Sequence, residues 1–468
     1  MLRNLAVSAL VLLAGACFVL QPGLIHPDEI FQALEPANRL AFGFGVKAWE
    51  WDVGLRNWAF PGVLAGLLRL GAVLGLDDVW ARRGLIALPS LALHFAALQA
   101  VSRFASRRLG APLARWSIAL VGASPVVLLF ACRTLSESLS AAFLVIAFER
   151  LEAADVEGRR AALVSGALFG LAEVARYGSA PFIVVTLVWL AVKRSRWLLP
   201  LVLGGGGVAL ALGALDALTW GQTLEAPHLG GWWHSLLEYT DFNLLKGKAG
   251  GFGRSPWWAY LPAFGVFAVV PSVIAWRWRA ELRAALPLLA SSGYLLSIIA
   301  VPHKEERFLY PATLVLLMVA APSFIWVASR LSLRPVVIGS TVLLVTLLSA
   351  ALVPDGLRPR GSELIRLTAR AQREGSGLLI VQAGLWGTGG SFFAGGSNLM
   401  RFEDDARPTT SHRWCTADGT DACFARAIAD ESIDRAILLE PFEPARQTLL
   451  AAGFRAVETV GEAAWFER

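Results

Sequence analysis

Long apolar segments recur along most of this 468-residue chain, and they constrain its fold more than any other feature of the sequence. A helix needs about 20 apolar residues to cross a bilayer, and it leaves few backbone groups without a hydrogen bond there. The predicted spans are 4–20, 84–102, 115–131, 138–150, 160–176, 179–192, 197–218, 257–276, 284–301, 308–328 and 335–353. The sequence therefore predicts a polytopic α-helical membrane protein with about 11–12 spans.

Charged residues divide the chain into two parts. Residues 355–468 hold 16 acidic and 13 basic residues, which is the charge density of a soluble domain, whereas residues 1–354 hold 20 acidic and 29 basic ones. We therefore predict a transmembrane domain over 1–354 and a small soluble α/β domain over 355–468. The predicted elements of this tail are the helices 362–374 and 443–452 and the strands Leu378–Val381, Ala436–Leu439 and 454–459.

Basic loops set the predicted orientation, because cytoplasmic loops are enriched in Lys and Arg. The clusters assigned to the cytoplasm are Arg3, 103–115, 159–160, 193–196, 277–283 and 330–334. This assignment places the N-terminus inside and the tail outside. The apolar stretch 60–76 is predicted to be re-entrant or juxtamembrane, since a crossing there would invert every later loop, although this choice leaves Arg82–Arg83 outside. Residues 1–20 are interpreted as a retained span rather than a signal peptide.

Several site types find little support in the sequence. No spacing of Cys and His suggests a metal site, and the positive charge of the membrane part suits cytoplasmic loops and anionic lipid rather than nucleic acid. A disulfide between Cys415 and Cys423 is possible if the tail faces an oxidising compartment. The Gly-rich stretch Gly384–Gly396 lacks the strand-then-helix setting of a nucleotide-binding loop, so we predict a flexible loop.

The first large outer loop, residues 21–59, carries adjacent carboxylates at the water boundary. Asp28 and Glu29 are neighbours, and Glu50 and Asp52 follow in the same loop. Glycosyl transfer requires such a group, because an acceptor hydroxyl loses its proton as it attacks. A proline followed by two acids is also a good helix start. The residues alone leave both interpretations open.

A second outer loop contains a run of charged residues, Pro302-His303-Lys304-Glu305-Glu306-Arg307-Phe308. If the run is helical, His303, Lys304 and Arg307 share one face and form a clamp for a phosphate. A solvated turn is an equally good interpretation. Two other cations, Arg133 and Arg176, lie at the outer ends of spans, against the positive-inside trend, which favours an anionic partner.

These motifs together resemble a known enzyme family, the lipid-phosphate-mannose-dependent mannosyltransferases of GPI-anchor and N-glycan assembly (glycosyltransferase family 22). The matching strings, in the family's order, are His26-Pro27-Asp28-Glu29, Ala48-Trp49-Glu50-Trp51, Arg56-Asn57 with Pro61, Arg133-Thr134 with Ser136-Glu137, Gly253–Tyr260 and Pro302–Pro311. The last string resembles the family's most specific signature. Two features depart from the pattern: Glu137 stands where the family usually has asparagine, and the tail 355–468 lies outside the family core.

The resemblance implies the GT-C fold, a polyprenyl- or dolichyl-phosphate sugar donor that usually carries mannose, and inversion at the anomeric carbon. It implies neither a nucleotide-sugar domain nor an obligatory metal, although a divalent metal is not excluded. By position, Asp28 or Glu29 would be the base. The phosphate-binding candidates are His303, Lys304, Arg307, Arg133 and Arg254, and Glu50 and Asp52 would orient the sugar or the acceptor, a glycan or glycolipid.

The Arg-rich, Lys-free tail suggests a bacterial relative in the inner membrane, with the tail in the periplasm. Two other functions stay open. A transporter or flippase for a lipid-linked or anionic substrate would place ionisable residues in mid-membrane, where His94 is the main example. A binding protein that grips its partner through the tail would not need Asp28. Charges concentrated in outer loops favour the enzyme.

Overall fold

The computed structural model describes a mainly helical chain over residues 2–43, 45, 47–260, 273, 285–330, 337, 339–340, 343–344, 348, 350–351, 353–374, 378–381, 392, 425, 428–431, 433–439 and 443–468. The chain divides into two compact units. The first comprises Met1–Phe18 and Pro89–Arg358, and the second comprises Val19–Leu88 and Pro359–Arg468. The opening loop and the tail thus belong to the same unit. The division into a membrane domain and a soluble domain at 354/355 stays a prediction.

Helices dominate the described residues. In chain order they are α1 Leu2–Leu20, α2 Glu35–Phe42, α3 Trp49–Asp52, α4 Ala59–Val73, α5 Val79–Leu109, α6 Ala111–Gly122, α7 Pro125–Phe130, α8 Ser136–Glu157, α9 Arg159–Ala175, α10 Ala180–Val192, α11 Leu198–Thr223, α12 His234–Thr240, α13 Ala285–Ala300, α14 Tyr310–Arg330, α15 Ser362–Glu374 and α16 Glu443–Ala451. Short π-helical turns lie at Glu29–Leu34 and Asp241–Leu245. Short 3₁₀ turns lie at Tyr177–Ser179, His228–Gly231, Lys248–Phe252, Trp257–Tyr260, Glu306–Leu309 and Asp355–Leu357.

Three helices of the described part are long and apolar enough to cross a membrane: α5, α11 and the continuous stretch Glu306–Arg330. Shorter apolar helices are Ser8–Leu20, Ala59–Val73, Tyr177–Val192 and Ala285–Ala300. The buried share of the most apolar window is 72% for Glu306–Arg330 but 28% for α11. Glu306–Arg330 is therefore an interior helix of the first unit, whereas α11 presents most of its surface outward, as a lipid-facing helix does.

Several predicted spans have different boundaries in the structure. The continuous span 115–131 is wrong: α6 ends at Gly122, and Ser124 has an extended backbone (ψ 126°) before α7 begins at Pro125. The residue before a proline is disfavoured in the helical conformation, which explains the break. The weakest predicted span, 138–150, is instead part of a 22-residue helix, α8. The stretch 60–76 forms the 15-residue helix α4, and its membrane placement stays a prediction.

Some sequence predictions fall on residues that the structure does not describe. Cys415 and Cys423 lie outside the described residues, as does all of the Gly-rich stretch 384–396 except Phe392. Most of the predicted spans 257–276 and 335–353 also lies outside them. These predictions stay untested.

Glycines allow two helices of the first unit to pack closely. A Cβ atom on Gly166 of α9 would lie 1.9 Å from the Leu201 carbonyl oxygen of α11, and one on Gly204 of α11 would lie 2.0 Å from the Leu163 carbonyl oxygen. Neither distance is compatible with a side chain. Small residues at such positions let helix backbones approach in apolar surroundings.

The tail of the second unit forms a four-stranded sheet of order β1-β2-β4-β3, where β1 is Leu378–Val381, β2 Arg435–Leu439, β3 Arg455–Val460 and β4 Ala463–Glu467. Strands β1 and β2 are parallel, and β4 is antiparallel to both β2 and β3. The predicted helices and the first three strands are confirmed. Strand β4 was not predicted, because its two large apolar residues, Trp465 and Phe466, are adjacent rather than alternating.

Helices cover both faces of this sheet. Leu364 and Leu367 of α15 pack on Trp465 on one face, in a cluster that includes Ile437. Leu449 of α16 belongs to a second cluster on the other face, with Ala436, Leu438, Phe454 and Phe466. Alternate residues of β2 face opposite sides of the sheet, so α15 covers Ile437 while α16 covers Ala436 and Leu438.

Candidate functional site

The opening segment of the second unit separates the roles of two adjacent carboxylates. Glu29 is only 2% exposed, and its Oε1 accepts the backbone N–H of Ile25 at 2.8 Å. The Asp28 side chain is 23% exposed. Glu29 is therefore committed to holding its own backbone, whereas the Asp28 carboxylate is accessible from solution.

His26 contacts Asp28 in two ways. The Asp28 backbone N–H donates to His26 Nδ1 at 3.2 Å, and the same nitrogen lies 3.3 Å from Asp28 Oδ1. Nδ1 accepts the backbone hydrogen when the ring is neutral, and it pairs with the carboxylate when the ring is protonated. In either state the imidazole restricts the orientation of Asp28. The sequence placed His26 in a motif but gave it no role.

A π-helical turn, Glu29–Leu34, follows Asp28 and leads directly into α2. Within this turn, the Phe31 carbonyl accepts the indole N–H of Trp51 at 2.9 Å. Trp51 is almost completely buried, and its ring lies 4.3 Å from that of Trp58 between centroids. π-helical turns are rare and are found frequently at functional sites. Trp51 fixes α3 against the segment that carries Asp28.

The other two predicted acids of the loop have partners of their own. Glu50 Oε1 accepts from Arg56 Nη2 at 2.7 Å and from Gln32 Nε2 at 3.4 Å. Asp52 pairs with Lys47 Nζ at 2.6 Å and is 58% exposed. Glu50 thus stabilises the loop from within, and Asp52 lies at its surface. Their proposed roles toward sugar or acceptor stay predictions.

The charged run 302–308 of the first unit does not form the predicted helical face. Glu305 has an extended backbone (φ −137°, ψ 141°), and helical structure starts only at the 3₁₀ turn Glu306–Leu309. Because His303 and Lys304 precede the first helical residue, they do not share a face with Arg307. The helical premise of the phosphate clamp was therefore wrong.

Each cation of the run has a separate partner. His303 Nε2 lies 2.7 Å from Glu305 Oε1, and Arg307 Nε donates to the other oxygen of the same carboxylate. Lys304 Nζ donates to the Val301 carbonyl, and among the described residues no carboxylate pairs with it. Burial lowers the pKa of Lys304 below its ordinary value. Lys304 is thus the cation of this loop with the fewest opposing charges.

A buried ion network connects this loop to two other helix ends of the first unit. Glu137 at the start of α8 is fully buried. Its Oε1 lies 2.6 Å from Arg176 Nη1 and 3.1 Å from Arg307 Nη1. Burial opposes the charge of Arg176, and the neighbouring Glu137 carboxylate stabilises that charge. Glu137 holds both guanidinium groups in place.

Sequence reasoning missed this role of Glu137. The sequence marks this glutamate only as a departure from the asparagine that the family usually carries. Its charge was the available signal, since a buried carboxylate requires a cationic partner. The partners lie 39 and 170 residues away in the chain, so no local pattern identifies them. The ring of Phe308 lies beside both arginines, 4.6 Å from Arg176 and 5.0 Å from Arg307.

The two remaining predicted cations differ in accessibility. Arg133 is 2% exposed, and its Nε donates to the Leu129 carbonyl at 3.2 Å, so it is enclosed by protein. Arg254 is exposed. The next residue, Ser255, donates its N–H to the Pro302 carbonyl at 3.0 Å, which places Arg254 beside the charged loop. Of the two, only Arg254 is accessible to an anion from solution.

Two further observations bear on the alternatives. His94, the main mid-span ionisable residue, has both ring nitrogens bonded, Nδ1 to the Ser90 carbonyl at 2.9 Å and Nε2 to the Tyr310 hydroxyl at 2.8 Å. This histidine is packed and satisfied. Within the described ranges, no group of three His, Cys, Asp or Glu side chains could hold a metal ion. Independence from metals stays a prediction.

Curated relatives of the chain are mannosyltransferases by name. GPI mannosyltransferase 3 of Yarrowia lipolytica is 30% identical over 309 residues, which cover 63% of this chain and 57% of that protein. The human GPI alpha-1,2-mannosyltransferase 3 is 27% identical over 308 residues, covering 63% and 52%. The chain thus spans a little over half the length of the curated relatives it matches.

Solved structures show the fold. ArnT from Cupriavidus metallidurans, solved with undecaprenyl phosphate, superposes with a TM-score of 0.63 at 13% identity, covering 99% of this chain and 97% of that one. The Archaeoglobus fulgidus oligosaccharyltransferase has a TM-score of 0.50 at 11% identity, covering 93% and 68%. The chain is a polytopic helical membrane protein of the GT-C type with a small C-terminal sheet region, as predicted. A model of the Alg9-like mannosyltransferase family matches residues 6–368, and the chain therefore belongs to that family.

Proposed function

We propose that the protein is an inverting glycosyltransferase that moves a sugar, usually mannose in this family, from a polyprenyl-phosphate carrier to a hydroxyl of a glycan or glycolipid acceptor. Membership of the mannosyltransferase family supports the reaction class. The fold neighbour ArnT, solved with undecaprenyl phosphate, supports a lipid-phosphate donor. The positive-inside assignment of the basic loops supports a reaction on the periplasmic side of a bacterial inner membrane.

The accessibility of Asp28 beside a buried Glu29 carries the proposal. Asp28 takes the proton of the acceptor hydroxyl while the hydroxyl oxygen bonds to the anomeric carbon. The bond between that carbon and the phosphate oxygen breaks in the same displacement, which inverts the configuration. The leaving lipid phosphate is already a stable anion, so it needs cations rather than a general acid.

Lys304 is the first choice for holding the leaving phosphate. Its ammonium donates to the Val301 carbonyl and lies 6.0 Å from the centroid of the Tyr260 ring, and no carboxylate among the described residues pairs with it. Arg254 lies beside the same loop and is exposed. His303 and Arg307 share Glu305, so they support the loop and reach the donor only if that pairing rearranges. Losing one such contact in the transition state costs about 2–4 kcal/mol, or roughly 10²–10³ in rate.

A matched pair of isosteric variants tests the base. Asp28→Asn removes the proton acceptor, and we expect kcat to fall by about 10²–10⁴-fold. Glu29→Gln keeps an oxygen for the Ile25 N–H, so kcat should change far less. The assay is transfer in purified membranes with a panel of polyprenyl-phosphate sugars. Equal losses in both variants would contradict the assignment of the base.

The same assay tests the donor and the alternative function. Lys304→Ala should reduce kcat/KM for the lipid donor, and Lys304→Arg should recover part of it. Turnover with a nucleotide sugar, and none with any lipid-linked sugar, would exclude the donor class. Movement of a lipid-linked sugar across vesicle membranes without transfer, unaffected by Asp28→Asn, would favour a transporter instead.

A further inference from the structure

Within the second unit, the start of the tail is paired with the segment just before Asp28. The Leu24 N–H donates to the Arg360 carbonyl at 2.8 Å, and the Arg360 N–H donates back to the Leu24 carbonyl at 2.8 Å. One residue earlier, the Gly23 N–H donates to Ser362 Oγ at 3.1 Å, across 339 residues of sequence. The tail and the opening segment are thus joined by one antiparallel β-bridge, between Leu24 and Arg360.

The pairing leaves no room for a side chain at Gly23. A Cβ atom there would lie 2.7 Å from the Arg360 carbonyl oxygen and 2.7 Å from Ser362 Oγ. The backbone carbonyl cannot move away without breaking the pair. Gly62, in α4 of the same unit, has nothing within 4 Å of the corresponding point. The two glycines therefore form a matched test pair.

A second attachment lies on the other side of Asp28. Glu35 is fully buried, and its Oε1 accepts the backbone N–H of Phe392, a tail residue, at 2.9 Å. The Phe392 ring is also buried, with the Arg82 guanidinium 4.8 Å from its centroid. Arg82 in turn donates to Asn38 on α2. A tail residue is thus bonded to the helix that follows the π-helical turn.

An apolar core joins the two attachments. Leu24, Ile30 and Leu34 of the opening segment belong to one buried cluster with Ile365 and Ala369 of α15. Burying side chains of this size stabilises the contact by about 1.5–3 kcal/mol each. The tail therefore contacts the chain on both sides of Asp28, at Leu24 before this residue and at Glu35 after it.

We propose that the tail, through Arg360, Ser362, α15 and Phe392, is a positioning element that holds the Asp28 carboxylate for proton transfer. The proposal rests on the function assigned above to Asp28. A catalytic group must be held within fractions of an ångström, and a displacement of about 1 Å can reduce the rate about 10²-fold. Between the end of α1 at Leu20 and Asp28, the chain forms no helix or strand apart from the pairing of Leu24 with Arg360, so the tail supplies the rigidity there. Ser362 and Gly23 act through Asp28 and do not contact substrate.

A disulfide tests the attachment independently of activity. Leu24 and Arg360 exchange both backbone hydrogen bonds, so their Cα atoms are about 5.5 Å apart, within the range that a disulfide bridges. In the full-length chain with its four native cysteines replaced, Leu24→Cys with Arg360→Cys should give a linked peptide by mass spectrometry without reductant. Leu24→Cys with Arg366→Cys, an exposed position on α15, should not. Absence of the 24–360 link would overturn the proposal.

Kinetics test the positioning role. Gly23→Ala and Ser362→Ala should each lower kcat by about 10- to 100-fold with little change in KM for the lipid donor. Gly62→Ala should leave kcat unchanged, and Ser362→Thr, which keeps the hydroxyl, should restore most of the rate. Ser362→Ala introduces no steric clash, so its kcat still tests the positioning role even if Gly23→Ala does not fold.

One kinetic outcome would overturn only the positioning role, and another would overturn the proposed function as well. Wild-type kcat in Gly23→Ala and Ser362→Ala, in protein that still forms the 24–360 disulfide, would overturn the positioning role and leave the proposed function intact. No turnover of any lipid-linked sugar by the unsubstituted enzyme would overturn the proposed function, and the positioning role with it. The second outcome is recognisable before any substitution is made.

Discussion

Replacing Glu137 with glutamine should destabilise the first unit more than any single surface substitution. The carboxylate is fully buried and lies 2.6 Å and 3.1 Å from the guanidinium nitrogens of Arg176 and Arg307. The substitution keeps the shape but removes the negative charge. Arg307 retains its ion pair with Glu305, whereas Arg176 loses its ion pair and keeps, among the described carboxylates, only a longer-range attraction to Glu173. Leaving a buried charge without its partner costs about 3–5 kcal/mol.

A surface pair of almost the same length provides the control. Arg370 Nε lies 2.7 Å from Glu374 Oε1, but both side chains are about one third exposed. Water and salt screen such a pair, so Glu374→Gln should reduce the free energy of unfolding by only about 0.3–0.5 kcal/mol. The tenfold contrast between two ion pairs of nearly equal distance isolates the effect of burial.

The assay is reversible unfolding of the purified protein in mixed micelles, with the free energy of unfolding compared among variants. A double variant, Glu137→Gln with Arg176→Met, removes both members of the pair. It should be more stable than the sum of the single losses predicts, with a coupling of about 1–3 kcal/mol. An effect of Glu137→Gln no larger than that of Glu374→Gln, or additive losses in the double variant, would refute the reasoning.

Three other predictions follow from packing and charge. Trp51→Phe removes the N–H that bonds the partly buried Phe31 carbonyl, and we expect a loss of about 0.5–1.5 kcal/mol, read as a lower unfolding temperature. Gly166→Ala should destabilise the protein by about 1–3 kcal/mol because the next helix leaves no space, whereas Gly207→Ala, with open space in the same helix pair, should not. Because burial lowers the pKa of Lys304, its charge and kcat/KM for the lipid donor should fall as pH rises through a value below the ordinary 10.5, and Lys304→Arg should shift that fall upward.

Local patterns predicted the elements well where one short stretch determines its own structure. The tail strands Leu378–Val381 and Arg435–Leu439 and the helix Ser362–Glu374 were readable from periodicity and composition. The break before Pro125 was missed because an apolar run was followed across a residue that cannot continue a helix without cost. The strand Ala463–Glu467 was missed because its pairing partners, rather than its own alternation, define it.

The candidate site shows a sharper limit. Sequence alone singled out Asp28 and Glu29 together, because two adjacent acids have the same composition and nearly the same place in a motif. Only the fold buries Glu29 against its own backbone and leaves Asp28 accessible. Likewise, the run at 302–308 was recognisable as charged, but its helical geometry was assumed and proved wrong.

By itself, the sequence determined that this chain is a membrane protein of helices, which family it belongs to, and which loops carry the charges. Those properties depend on hydrophobicity and residue type over stretches of some twenty residues or less. The tertiary structure decided which charges pair, as Glu137 does with Arg307 across 170 residues, and which distant segment holds Gly23. Such contacts form because packing brings together residues that are far apart in the chain. The residues next to either partner in the sequence carry no information about which distant residue it will contact.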